Sequence, residues 1–241
     1  MKDEKVKQRV KLCVAIAVFI IIIIMVIIQI IDYNFQGEDQ MPFELSKVTV
    51  VSTAEGKKGD GWKFNINQNN DIYISIERNE KYPDAKIESI SIENIQTYKA
   101  SEKGAINLYM PASTEERTLV NSDEYKIEDS LTYKGGKQTD YKNLIIGNQG
   151  GTLIFRVAND DVSEYMPSDD EAVKHDGTLL NKTGISSEDL NFNISFDIVI
   201  KLKNKSYRGR MNMDMPCGDI LTEGMCNIEK NDFSDVVFKR E

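Results

Sequence analysis

Cys217 and Cys226 bracket the stretch CGDILTEGMC and are the first residues in the chain whose spacing points to chemistry. A disulfide between them would close a loop of ten residues, stabilising by about 2.5–3 kcal/mol on loop entropy alone. Gly218 and Gly224 let such a loop turn back on itself. The competing reading is two free thiols. A zinc site is disfavoured: the pair has no further ligands nearby, and the only histidine, His175, lies about 40 residues away.

From Asn159 to Gly177 the chain carries Asp160, Asp161, Glu164, Asp169, Asp170, Glu171 and Asp176. Calcium takes about six to eight oxygen ligands, so Asp160, Asp161, Asp169, Asp170 and Asp176 are the residues to inspect for a metal. Their spacing is not that of an EF-hand loop, and a solvated acidic loop is the simpler reading. His175 sits between Lys174 and Asp176, and no G-x-S-x-G elbow supplies a nucleophile for it. Gly147-Asn148-Gln149-Gly150-Gly151 lacks the lysine and the following helix of a phosphate loop, and reads as a hairpin turn. No catalytic residue is assigned and no motif requires a cofactor.

The element that must position everything else is apolar. Leu12 to Ile31 is a run of 20 residues with one polar side chain, Gln29, and no charge. As a helix it spans roughly 30 Å, the thickness of a bilayer's hydrocarbon core. It is too long for the apolar core of a cleaved signal peptide, and no small-residue cleavage pattern follows it. Lys2, Lys5, Lys7, Arg9 and Lys11 precede the run, whereas Asp32, Glu38, Asp39 and Glu44 follow it before the next basic residue, Lys47. The positive-inside rule then predicts a signal anchor in the cell membrane, with a cytoplasmic N-terminus and an extracytoplasmic remainder. The expected organisation is a basic tail (1–11), a transmembrane helix (12–31) contacting the lipid bilayer, a spacer (32–44) and one β-rich region (45–241).

Period-two alternation dominates that region. Phe192, Ile194, Phe196, Ile198, Ile200 and Leu202 share one strand face, Asn204-Lys205-Ser206 turns the chain, and Tyr207, Met211, Met213 and Met215 continue the pattern. The methionine stripe reads as core filling. Trp62, Phe64 and Ile66 before Gln68-Asn69-Asn70, with Ile72, Ile74 and Ile76 after, predict a second hairpin. Further strands are expected at Lys47–Thr53, Lys86–Tyr98, Ile106–Met110, Leu144–Ile146, Thr152–Ala158 and Val236–Lys239. Apolar parity changes between Ile87 and Ile90 and again by Ile95, which predicts a bulge. Ser113-Thr114-Glu115-Glu116 and Ser186-Ser187-Glu188-Asp189 are short helix starts. The polar stretch from Asn159 to Thr178 reads as a surface loop or an insertion between strands.

These elements predict a mainly β protein: an N-terminal transmembrane α-helix followed by an antiparallel β-sandwich-like ectodomain. The first eleven residues carry a net +3, so the remainder of this −9 chain carries −12, a sign that excludes nucleic acid as a partner. In composition and layout, the chain resembles envelope proteins of low-GC Gram-positive bacteria. The leading expectation is a membrane-tethered binding or structural module whose partner is an envelope protein or a wall polymer. The alternatives are an envelope hydrolase and a calcium-dependent adhesion or sensor domain.

Overall fold

An uncharged run of twenty residues, apolar but for Gln29, has no face that prefers water, and the backbone satisfies its own hydrogen bonds there by coiling. The computed structural model, which describes residues 2–59, 61–113, 117–137, 143–168 and 179–241, places this run in one helix, α1 (Lys2–Gln36). Among the described residues it is the one helix long and apolar enough to cross a membrane, with a mean hydropathy of 3.5 over its apolar window, and none of that window is buried against the rest of the chain.

The remainder folds into two sheets. One has five strands in the order β10-β1-β2-β7-β4: β1 (Phe43–Lys58), β2 (Phe64–Arg78), β4 (Ala105–Tyr109), β7 (Gly150–Tyr165) and β10 (Met225–Lys230). The other has six, in the order β11-β9-β8-β3-β5-β6: β3 (Ile87–Lys99), β5 (Leu131–Gly135), β6 (Ile145–Ile146), β8 (Phe192–Leu202), β9 (Lys205–Met215) and β11 (Phe238–Arg240). Among the described residues β5 and β6 alone pair in parallel. The inward faces of the two sheets share one main core. Phe155 of β7 meets Phe196 of β8 edge to face across it, ring centroids 5.4 Å apart.

The β8–β9 hairpin follows its alternation. Phe192, Ile194, Phe196, Ile198 and Ile200 are buried, as are Met211 and Met215, so these methionines fill core space. The bulge in β3 is also present: its register against β8 slips between Ile87 and Ser89 and between Glu93 and Gln96, with Asn94 at φ +50°. Ser186 and Asp189 form a capping box on the single turn α3 (Ser187–Leu190). The Ser113–Glu116 signal falls mostly outside the described residues.

Three sequence expectations are corrected. Gln68-Asn69-Asn70 does not turn the chain: β2 runs unbroken through it, and the hairpin is β1–β2, closed where Gly59 N–H donates to Lys63 C=O at 2.9 Å. Asn69 and Asn70 are held extended because their amides bond Glu55, Ser52 and the Val157 carbonyl instead of local backbone. Asn159 does not start a surface loop: β7 continues to Tyr165, Asn159 and Asp160 are buried, and residues 169–178 of the expected loop lie outside the described residues. The glycines at 147–151 make a tight turn, Gly150 N–H to Gly147 C=O at 3.0 Å, but it joins strands of different sheets.

A second, smaller apolar cluster closes one end. Ala54, Ile66 and Val162 pack there with Leu179 and Leu180 of α2 (Leu179–Lys182), Leu190 of α3 and Ile220 of α4 (Ile220–Glu223). The inward-facing side chains between the two clusters are polar: Ser52, Gln68, Asn70 and Asn159 form a buried row across β1, β2 and β7.

Candidate functional site

The opposite, outward face of the same strands carries a built polar site. Between Ile66 and Gln68 the β2–β7 register moves two residues on β2 and four on β7, so Asp160, Asp161 and Val162 stand opposite Asn67 alone. A bulge of this kind re-aims side chains. Asp161 takes φ +52°, a conformation that aspartate tolerates better than most residues, and its N–H donates to Asn67 Oδ1 at 2.9 Å.

Asp160 is the centre. Its Oδ2 accepts the Tyr109 hydroxyl at 2.6 Å and Asn107 Nδ2 at 2.9 Å, and its Oδ1 accepts Asn121 Nδ2 at 2.8 Å. Tyr109 and Asn107 arrive on β4, paired with β7. Asn121 arrives on the excursion after β4, which folds back so that Met110 N–H donates to Tyr125 C=O and Ile127 N–H to Leu108 C=O. Arg156 Nη1 donates to Asn121 Oδ1 at 2.8 Å, while its Nε and Nη2 grip both oxygens of Asp71 at 2.6 and 3.0 Å. Asn121 also donates to Asn69 Oδ1 at 2.9 Å. Burial, then the hydrogen bond and charge of Asp160, push the Tyr109 phenol well above its ordinary pKa of 10.0, so it stays a donor at any physiological pH.

Asp160, Tyr109, Asn107 and Asn121 line a cavity of about 390 Å³ with Asn67, Asp161, Asp123 and Lys57. Three aspartates against one lysine leave the lining at −2. The amides supply donors and acceptors at fixed positions, a lining for a polar ligand that is neutral or cationic. Asp160 meets three side-chain donors, an environment that holds a carboxylate without a metal. Among the described residues no group of three or more His, Cys, Asp or Glu side chains is placed so that it could hold a metal ion. Asp169, Asp170, Asp176 and His175 lie outside the described residues.

The two cysteines meet elsewhere. Cys217 follows β9 and Cys226 lies in β10 opposite Ser52 of β1; both are free, half-buried, and their sulfurs are 3.2 Å apart. Burial, then the contact with Cys217, pushes the Cys226 thiol up to about 12. Cys13 is exposed on α1.

Sequence reading reached Asp160 and Asp161 but missed Asn67, Asn107, Tyr109 and Asn121. One signal was present: the alternation of Leu153, Phe155 and Val157 fails at Asn159-Asp160-Asp161, as it does where a strand bulges. Nothing local marks Asn121. Comparison of the chain with protein-family models, with characterised proteins and with solved structures finds no match.

Proposed function

We propose that this chain is a membrane-anchored binding module of the cell envelope. Its α1 helix spans the cell membrane with the basic end in the cytoplasm, and its β-sandwich, held outside, binds a polar, neutral or cationic ligand such as a glycan segment of the wall. The placement is supported by the uncharged run from Leu12 to Ile31 and by the basic residues that precede it. One observation carries the binding role: the cavity around Asp160 is lined by amides and carboxylates already fixed by a partly buried network, which lowers the ordering cost a ligand meets. A lining of −2 disfavours polyanions, which separates a glycan from an anionic wall polymer.

The test uses full-length protein in detergent, titrated by calorimetry with soluble neutral wall glycans and, separately, with a polyanionic wall polymer. Saturable binding of the glycan, weakened about tenfold or more by Asn67→Ala, supports the reading. Absence of glycan binding, or binding indifferent to Asn67→Ala, removes it. Protease added to intact cells checks the placement, which requires the sandwich to be cleaved or shed while 1–11 is protected.

A further inference from the structure

We propose that Cys217 and Cys226 are oxidised to a disulfide that bolts the two sheets together at one edge of the sandwich. The inference stands apart from the binding site and from the membrane placement.

The topology gives the bond its meaning. Cys217 lies just past the end of β9, in the six-stranded sheet, whereas Cys226 belongs to β10, the edge strand of the five-stranded sheet. Among the described residues no backbone hydrogen-bond ladder joins the two sheets along this edge, and the thiols are where the chain passes between them. Both are held in place. Cys217 N–H donates to Ser52 Oγ at 3.0 Å, and Ser52 Oγ donates onward to Asn70 Oδ1 at 2.7 Å. Cys226 pairs with Ser52 in the β1–β10 ladder. Asp219 caps the turn α4 and Gly224, at φ +75°, ends it, returning the chain to bring Cys226 back to Cys217. Gly218 clears the contact: a Cβ there would lie 3.1 Å from Cys226 Cβ and 3.2 Å from its sulfur.

The surroundings also order the steps. Cys217 lines two cavities, one of about 420 Å³ beside Pro216 and Ile220 and one of about 300 Å³ beside Val50 and Ile228; Cys226 lines neither. These cavities give an oxidant its approach to Cys217. Cys217 gives up its proton to solvent and attacks one sulfur of a disulfide oxidant, expelling the other as a thiolate. Cys226 then gives up its proton and attacks the Cys217 sulfur, expelling the second thiolate. Two protons go to solvent and two electrons to the oxidant's disulfide, and one S–S bond forms for the one that breaks.

The test uses full-length protein in detergent carrying Cys13→Ala, incubated with oxidised glutathione, acid-quenched, alkylated and read by intact mass and peptide mapping. The expected product has lost two hydrogens, takes up no alkylating agent and yields one peptide linking Cys217 to Cys226. Its Tm exceeds that of the dithiol by roughly 5–10 °C. In Cys226→Ser, glutathione accumulates on Cys217; in Cys217→Ser, Cys226 is glutathionylated at least tenfold more slowly. Two alkylatable thiols remaining in the parent protein, arrest as a glutathione adduct, or linkage only between chains would overturn the proposal.

Discussion

The phenolic oxygen of Tyr33, in the last turn of α1, accepts the backbone N–H of Arg240 in β11 at 2.8 Å. Two further bonds join the same segments: Glu38 N–H to Phe238 C=O at 2.8 Å and Lys239 Nζ to Asn34 Oδ1 at 3.3 Å. Since β11 pairs with β9, the end of the helix is held to the six-stranded sheet by residues two hundred positions away, and the sandwich does not hang from a free tether. Gly37 makes the approach feasible. Its φ is +80° and a Cβ there would sit 2.3 Å from the Phe238 carbonyl oxygen. Gly37→Ala is expected to cost about 2–3 kcal/mol through backbone strain and overpacking, and Tyr33→Phe about 1 kcal/mol through one lost hydrogen bond. Thermal unfolding of the full chain measures both; an unchanged Tm in Gly37→Ala would show that the helix end is not docked.

On the outward face of the other sheet, Asp197 is buried between two arginines. It accepts Arg210 Nη1 at 2.9 Å, Arg208 Nη1 at 3.0 Å and Asn94 Nδ2 at 2.7 Å, and Arg208 also pairs with Glu93 and Glu241. Burial pushes the Asp197 carboxyl up, but the hydrogen bonds from Asn94, Arg210 and Arg208 outweigh it and hold the group below its ordinary value of 3.8. A depressed folded pKa contributes stability that is complete above the unfolded value and lost as the pH falls through the folded one. Urea midpoints should therefore drop as pH falls below about 4. Asp197→Asn should lower the midpoint at pH 7 by about 2 kcal/mol equivalent and flatten this acid limb. Parallel pH profiles for the two proteins would refute the assignment.

How far this fold was legible follows from where each signal is encoded. The β8–β9 hairpin and the β3 bulge were readable because alternation, and breaks in it, are properties of consecutive residues such as Phe192 to Leu202 and Ile87 to Ile95. β2 was misread because Gln68-Asn69-Asn70 has turn chemistry, and what holds it extended lies far off in sequence: Ser52, Glu55, Asn121 and the Val157 carbonyl. The same distance hid most of the candidate site. Asp160 and Asp161 stood out by charge, whereas Asn107 and Asn121 matter only because β4 and the excursion after it close over the β7 bulge. β10 was missed because its Met225–Lys230 segment is an exposed edge strand with little alternation.

The buried polar row contains two neighbours of opposite expected effect. Asn70 has a partner at each polar atom of its amide, Oδ1 accepting from Ser52 and Nδ2 donating to the Val157 carbonyl at 3.0 Å. Gln68 is equally buried, yet among the described residues neither its Nε2 nor its Oε1 meets a partner. An unpaired buried amide costs about 1–3 kcal/mol. Gln68→Met keeps the volume and removes the polar atoms, so it should leave stability unchanged or raise it by about 1 kcal/mol. Asn70→Leu should lower stability by about 2 kcal/mol, because it takes the acceptor from the buried Ser52 hydroxyl and the side-chain donor from the Val157 carbonyl. Denaturant midpoints of the two variants, compared side by side, decide this; a loss in Gln68→Met as large as that in Asn70→Leu would contradict it.

A tyrosine does the work of a missing strand. β4 pairs with β7 only from Arg156 to Asp160, which leaves the backbone of Ile154 beyond its reach. Tyr133, buried on β5 of the opposite sheet, fills that place: its hydroxyl donates to the Ile154 carbonyl at 2.8 Å and accepts the Ile154 N–H at 3.1 Å. Burial raises the phenol to about 12, with the bond to the Ile154 backbone pulling the other way. A folded pKa above the ordinary 10.0 gives stability that is complete below pH 10 and lost as the pH climbs from there toward 12. Tyr133→Phe keeps the ring but leaves a buried N–H and C=O unpaired. It should cost about 2 kcal/mol at pH 7 and lose part of the fall in Tm between pH 9 and 11. A Tm at pH 7 equal to that of the parent would mean that Ile154 finds another partner, and that the two sheets are joined there by packing alone.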